Sequence, residues 1–304
     1  MTTSHLPPEL ASFQDEPGQL PSGGVGKNAF LRLGFERRAE RTVLAHLDRR
    51  APLLVQQALY WDEALPDLPC VFIITTTGSI LQGDRFNIEI DLAPDARAHV
   101  TTQAATKIHS MDANYAAQTQ RIVLGENAYL EYLPDPVIPH AHARFITTTH
   151  IRIPSSSTLL YSEIMMGGRK YHGEGELFEY DVFSSTVQAQ RPDGAELFTE
   201  KFVIEPHAHN VRQVGVMGTF DVFANVLLLT PRHHADEIFS QVPAVVNLEE
   251  RWAAGASRLP NGAGLVFKVL GQESQPVRAK VREFWSIVRQ TVTGARVLPE
   301  FVWR

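Results

Sequence analysis

A chain of 304 residues with 44% hydrophobic content can bury one large core or two ordinary ones, because single β domains run to about 250 residues. Its 28 Lys+Arg against 34 Asp+Glu leave a formal charge of -6, which provides no basic footprint for nucleic acid or an anionic membrane. The single cysteine, Cys70, excludes an internal disulfide, and no apolar run reaches the roughly 18 residues a membrane span requires.

Residues 1–26 are rich in Pro, Ser, Gly and Gln and end in PSGGVG, which predicts a flexible N-terminal tail ahead of one β domain over 27–304. MTTSHLPPELASFQDEPGQL has no apolar leader region, so a cytoplasmic location is expected. GGVGKN is not a phosphate loop: the first glycine of G-x-x-x-x-G-K-[ST] falls on Pro21 and the hydroxyl position holds Asn28.

From Lys27 onward the hydrophobic period is two. Leu31, Leu33 and Phe35 alternate with Arg32, Gly34 and Glu36, and Phe86, Ile88, Ile90 and Leu92 alternate with Asn87, Glu89 and Asp91. Further strands are predicted over 71–77, 120–124, 129–133, 145–153, 159–164, 177–183, 197–204, 219–229 and 265–270. Helical spacing comes late: Val277, Val281, Phe284, Trp285 and Val288 form a stripe expected to pack on a sheet, and 244–254, preceded by 236–240, is a weaker candidate. A mainly β fold with peripheral helices follows, without a repeat of fixed period.

Certain charged residues fall on apolar faces. Side chains i and i+2 of a strand share a side, which puts Asp84 with Phe86 and Ile88, Glu200 with Phe198 and Phe202, and Glu163 with Tyr161 and Met165. An unpaired buried carboxylate costs several kcal/mol, so each of these is protonated, paired or facing water inside the molecule. The plain alternative for any one of them is a structural partner for an arginine or a backbone amide. Three on separate strands suggest a polar passage.

His140 and His142 are two apart, as are His207 and His209, and on extended chain each pair would share a face suited to metal chelation. Both pairs sit beside proline and read first as surface imidazoles of a loop, with a metal ligand as the lesser alternative. No H-E-x-x-H and no cysteine pair announces a resident metal, no G-x-S-x-G elbow a nucleophile, and GEGELF (173–178) lacks the third glycine of a dinucleotide fingerprint. Cys70, at the head of an apolar strand, reads as core filler.

APLLVQQALY (51–60), TTTGSILQGD (75–84), VTTQAATKIHS (100–110), LEYLPDPVIPHAHAR (130–144), GGRKYHGE (167–174) and the ending REFWSIVRQTVTGARVLPEFVWR together resemble the UreD/UreH urease accessory proteins, in the family's order and over nearly everything after residue 27. The departure is at 76–79, where TTGS replaces the family's usual PGG and Ser79 must accept the backbone of the second glycine. The resemblance implies a layered, β-helix-like fold of antiparallel and mixed sheets with a few peripheral helices, one near the C-terminus. It implies a non-enzymatic scaffold that binds UreF, recruits the GTPase UreG through it, contacts the urease apoprotein in a dimeric hetero-oligomeric complex, and passes Ni2+ through an internal channel. By motif position Asp84, Thr106, Lys107, Glu163 and Glu200 match polar positions of that channel; no permanent cofactor is expected, only transient Ni2+. From another class comes an all-β, cupin-type metal enzyme using His140, His142 and a carboxylate such as Glu174.

Overall fold

The computed structural model describes residues 7–15 and 27–299, and strands dominate it as the period-two pattern predicts. A 3-10 turn at Pro8–Leu10 precedes β1 (Asn28–Arg38), β2 (Arg41–Arg50), β3 (Leu53–Leu54), β4 (Cys70–Thr75), β5 (Arg85–Leu92) and β6 (Arg97–Thr102). Next come β7 (Thr106–Ile108), β8 (Ala116–Leu124), β9 (Tyr129–Tyr132), β10 (Val137–Pro139), β11 (Arg144–Arg152) and β12 (Thr158–Met166). Then follow β13 (Gly168–Arg169), β14 (Glu176–Leu177), β15 (Val182–Gln190), β16 (Glu196–Ile204) and β17 (Val222–Leu229). The rest is α1 (Arg232–Gln241), β18 (Val245–Asn247), β19 (Trp252–Arg258), β20 (Gly264–Gly271) and α2 (Ser274–Thr293).

Two sheets face each other, one ordered β16-β15-β11-β8-β5-β1-β2 and the other β18-β19-β20-β17-β12-β9-β6-β4-β3. Successive long strands alternate between them: β5 then β6, β8 then β9, β11 then β12. Equivalent strands of successive coils pair in parallel, β5 with β8, β8 with β11 and β11 with β15 in one sheet, β6 with β9 and β9 with β12 in the other. The chain therefore winds as a β-helix-like coil, as the resemblance implies. In the seven-stranded sheet antiparallel strands close both ends: β2, whose last residues Leu47–Arg50 are exposed, and β16.

The coil has a repeated corner that the sequence conceals. Leu92-Ala93-Pro94-Asp95-Ala96 and Leu124-Gly125-Glu126-Asn127-Ala128 make the same turn, with Asp95 (φ 60) and Asn127 (φ 57) in the left-handed region those residue types tolerate. The corners stack, Asp95 N–H donating to the Glu126 carbonyl at 2.8 Å and Asn127 Nδ2 to Asp95 Oδ1 at 3.1 Å. Gly125 is required by this stacking, since a Cβ there would lie 2.5 Å from Pro94 N. The return loops, 103–115, 133–143 and 167–181, differ in length, so the structural repeat has no fixed sequence period.

One apolar core lies between the sheets and includes Leu31, Phe86, Ile122, Phe145, Tyr161 and Phe183; a second lies between the larger sheet and the helices. Strand β12 is buried on both sides, with Leu159, Tyr161 and Met165 facing the first core and Leu160 and Ile164 the second. That explains why its sequence reads as continuous rather than alternating. Helix α2 buries Val277, Val281, Phe284, Trp285 and Val288 in the second core, as its stripe predicts, and ends at Gly294 in the left-handed conformation.

Three expectations need correction. Residues 244–254 form a hairpin, β18 and β19, instead of a helix: Val245 and Val246 are β-branched, Asn247 Oδ1 accepts from the amides of Glu249 and Glu250, and Arg251 turns at φ 55. In the tail, residues 7–15 dock on the outer face of the seven-stranded sheet, because Leu10 is buried with Ile146 and Val182 while Glu9 bonds Ser184 at 2.7 Å and pairs with Lys201 at 2.8 Å. Residues 1–6 and 16–26, like the last five of the C-terminal motif, lie outside the described residues. At TTGS, Gly78 (φ 70) takes the left-handed position and Ser79 does not.

Polar groups fasten α2 to the coil. Arg289, 1% exposed, donates Nε and Nη2 to the two Glu131 oxygens at 2.7 and 2.6 Å and Nη1 to Asp62. His99 Nδ1 and Tyr129 Oη meet the same carboxylate at 2.8 and 2.6 Å. Burial alone would raise the Glu131 pKa, but the Arg289 and His99 contacts outweigh it and hold the group far below the usual carboxylate range. Removing one member of such a buried pair strands the other charge, so Arg289→Ala is expected to lower unfolding stability by about 3–5 kcal/mol in denaturant titrations. Glu131's contribution is fully present above about pH 5 and is lost as pH falls through its ordinary value toward its depressed folded one, so the deficit of the variant narrows in strong acid.

Candidate functional site

In-register parallel pairing makes columns of the inward residues. One column on the seven-stranded sheet runs Phe86, Gln118, Thr147, Ser185, Phe202, and the next runs Ile88, Gln120, Thr149, Val187, Glu200. Polar groups thus cross the middle of an otherwise apolar face. Facing them, the larger sheet presents Tyr132, Tyr161 and Glu163. Between them is a cavity of about 70 Å³, lined also by Thr102, Thr106 and Asp135. That is room for several waters, each needing roughly 10–15 Å³.

Glu163 and Asp135 are the two acids lining this cavity among the described residues, and Glu163 lies between the sheets. The Ser185 hydroxyl donates to its oxygens at 2.9 and 3.1 Å. Burial, with the nearby Glu200 charge adding to it, raises its pKa to about 7 against the opposing contacts of Ser185, Tyr161 and Asn225. Its residual exposed surface belongs to a residue that lines the cavity. Asn225 is its neighbour on β17 and donates Nδ2 to Glu200 Oε2 at 2.8 Å; Glu200 Oε1 receives the half-exposed Lys268 ammonium at 2.6 Å. A polar chain therefore runs from Ser185 through Glu163, Asn225 and Glu200 to solvent. The buried Asn225 Oδ1 and Thr147 Oγ1 find no protein partner among the described residues, as expected of groups that bind water.

A second polar set surrounds the first. Tyr132 donates to Gln120 Oε1 at 2.6 Å, and Gln120 Nε2 donates to Thr149 at 2.8 Å and Tyr161 at 3.0 Å. Burial pushes both phenols above their ordinary pKa, so they remain neutral donors. Asp135 gives the cavity another charged connection, pairing with Arg278 of α2 at 3.2 Å, while its amide donates to Thr102 at 2.9 Å.

The sequence-predicted residues do not all converge. Thr106, Glu163 and Glu200 belong to the cavity or its polar chain. Asp84 is 1% exposed, as its alternation predicts, but does not line the cavity: its oxygens accept the amides of Lys27 at 2.9 Å and Leu81 at 2.8 Å, closing the turn before β5. Lys107 and Glu174 are exposed.

Neither His-x-His pair stays together. His140 is buried beside His109, with ring centroids 4.7 Å apart, and burial together with Arg169 lowers its pKa to about 4, keeping it neutral. His142 takes φ 58, which breaks the extended geometry and sends its ring to Asp181 (3.2 Å) and toward His207. His209, in the turn after β16, sits 4.0 Å from Glu205. The triad of His140, His142 and Glu174 that a cupin-type enzyme would need is not assembled; the described residues gather His142, Asp181 and His207 instead.

Inward-face reading confined to carboxylates overlooked the neutral polar residues. Gln118 and Gln120 share a side with Ile122 and Leu124, Thr147 and Thr149 with Phe145 and Ile151, and Ser185 with Phe183 and Val187. The same alternation rule finds them. Asn225, the one polar residue of the apolar run in β17, is found by the same rule, whereas Asp181 is not, because the strand predicted over 177–183 is interrupted and β15 begins only at Val182.

Comparison with known proteins places this geometry in context. The family model described as UreD urease accessory protein matches residues 27–304. The chain is 62% identical over 295 residues to "Urease accessory protein UreD 2" of Brucella suis biovar 1, covering 97% of this chain and 98% of that protein. It is 55% identical over 297 residues to "Urease accessory protein UreD" of Photorhabdus laumondii subsp. laumondii, covering 98% and 92%. The protein of the same name from Yersinia pseudotuberculosis is 52% identical over 297 residues.

The raised pKa of Glu163 carries a sign. Between about pH 4.5 and 7 the folded state holds a proton the unfolded chain has released, so stability falls as pH rises through that window. Glu163→Gln is expected to flatten this dependence and to stabilise the protein by up to about 3 kcal/mol above pH 7, with no difference near pH 4. Thermal unfolding of both proteins across that range checks it.

Proposed function

The chain belongs to the UreD family of urease accessory proteins, so its work lies in urease maturation, and we propose that it acts there as a non-enzymatic scaffold conducting nickel between its two sheets. The observation that carries this reading is Glu163: a carboxyl that can ionise near neutral pH, set in a cavity with room for several waters and joined through Asn225 and Glu200 to the surface. Nickel is cargo here, and a relay needs few oxygen donors, retained water and no deep minimum. Carboxylates spaced along a wet seam meet that requirement. The arriving cation takes the place of the Glu163 proton, so occupancy of the interior increases as pH rises through about 7.

Of the five polar positions suggested by motif, Thr106, Glu163 and Glu200 support the path, with Asp135 at a second charged connection. Asp84 serves the turn that positions β5, and Lys107 offers its charge at the surface. In this reading the scaffold binds UreF, receives UreG through it and contacts the urease apoprotein in a dimeric hetero-oligomeric complex in the cytoplasm. No helix among the described residues is long and apolar enough to cross a membrane.

Cells making urease with Glu163→Gln or Glu200→Gln in place of this chain are expected to show a several-fold fall in urease activity and in nickel per urease. The amount of accessory complex recovered by pull-down should stay unchanged. Full activation by the Glu163→Gln/Glu200→Gln double variant would contradict the interior route.

A further inference from the structure

We propose that His142, Asp181 and His207 form a surface site for a borderline divalent cation of the Ni2+ or Zn2+ class, separate from the interior cavity and independent of the reading given for it. Three segments distant in sequence deliver the donors. Asp181 is held beside the start of β11 by its amide, which donates to the Ala143 carbonyl at 3.0 Å, and by the parallel pairing of Arg144 with Val182. Its carboxylate is divided in function: Oδ2 accepts Arg144 Nε at 2.7 Å, leaving Oδ1 facing His142 Nδ1 at 3.2 Å and His207 Nε2 at 3.7 Å.

All three donor atoms lie within 4.8 Å of one another. An ion about 2.0–2.2 Å from nitrogen and oxygen ligands spans pairs separated by roughly 3–4 Å, so the two carboxylate-to-imidazole distances suit coordination without backbone movement. His142 is built into the geometry at a cost. A histidine at φ 58 is uncommon, and the conformation is pinned by its N–H donating to the Glu179 carbonyl at 2.9 Å. His207 Nε2 lies 3.3 Å from the same carbonyl, a contact the ion would replace. The two rings lie nearly parallel, with centroids 6.2 Å apart.

Ligand chemistry sets the class. Two imidazoles and one carboxylate oxygen favour Ni2+, Zn2+ or Cu2+ over Mg2+ and Ca2+. Arg144 offsets the charge of Asp181, which keeps binding exchangeable. With side-chain exposures of 65% for His142 and 50% for His207, the remaining coordination positions are open to water. The adjoining strand residues Phe145 and Phe183 line the cavity, so the site stands at the end of the wall that encloses it.

Equilibrium dialysis of the full chain against NiCl2 and separately ZnCl2, at neutral pH with excess Mg2+, tests this site. One equivalent of ion should disappear in the His142→Asn/His207→Ala double variant, and each single variant should weaken it at least about tenfold. Asparagine is chosen because it tolerates the left-handed backbone. Glu163→Gln should retain this equivalent, separating the surface site from the interior. A double variant with unchanged stoichiometry and affinity would overturn the proposal. If that variant misfolds, Ni2+ broadening of the His142 and His207 ring resonances in the wild-type protein decides, and its absence overturns the proposal equally.

Discussion

In-register stacking of parallel strands is the constraint on which the interior depends. A side chain on one coil inherits its side of the sheet from the rung below, and a slip of one residue would reverse the whole inward set. Gln118, Thr147 and Ser185 are tolerated between the sheets because each sits on the rung of the next and shares its polar surroundings. The carboxyl of Glu163 then stands against polar groups instead of the aromatic wall of Phe145, Phe183 and Phe202. A charge placed among those rings without water would cost several kcal/mol. Cavity and acid therefore belong together.

The outer layer is tied to the same coils through charge. Glu131 and Tyr132 are adjacent on β9, and strand geometry sends them to opposite sides: Glu131 meets Arg289 of α2, while Tyr132 joins the hydrogen bonds around the cavity. Asp135, three residues further on, lines the cavity and also pairs with Arg278 of α2. Two stretches that carried the family resemblance, LEYLPDP and REFWSIVRQ, are thus in contact through arginine and carboxylate. A helix that covers the larger sheet also holds the segment forming part of the cavity wall.

Much of this was legible in the sequence where burial is one-sided. Strand β5 alternates cleanly and was readable residue by residue, as was the apolar stripe of α2. Glu163 and Glu200 stood out because period two set them among hydrophobic neighbours. Legibility failed where geometry departs from local pattern. His142 leaves extended chain at a single left-handed residue, so spacing of two could not disclose that its partners are Asp181 and His207. The coil's repetition was hidden because loops of unequal length separate identical corners. Residues 7–15 read as tail from their polar company, although Leu10 and Phe13 supply the apolar contact that seats them. Asp84 shows the limit of face reading: it is buried as alternation requires, yet both oxygens are occupied by backbone amides, which only the folded turn reveals.

The antiparallel strands at the two ends of the seven-stranded sheet have a consequence for the protein in bulk. Stacked parallel rungs are a form that could lengthen by recruiting a rung from another molecule, the route by which cross-β fibres grow. Here β2 turns the last rung back on itself and presents Asp48, Arg49 and Arg50 at the rim, while β16 does the same at the far side with Glu196 and Lys201. Charged side chains on a reversed strand make a poor template for the next copy. The winding of this sheet is closed at both ends, and neither rim offers a bare parallel rung to another copy.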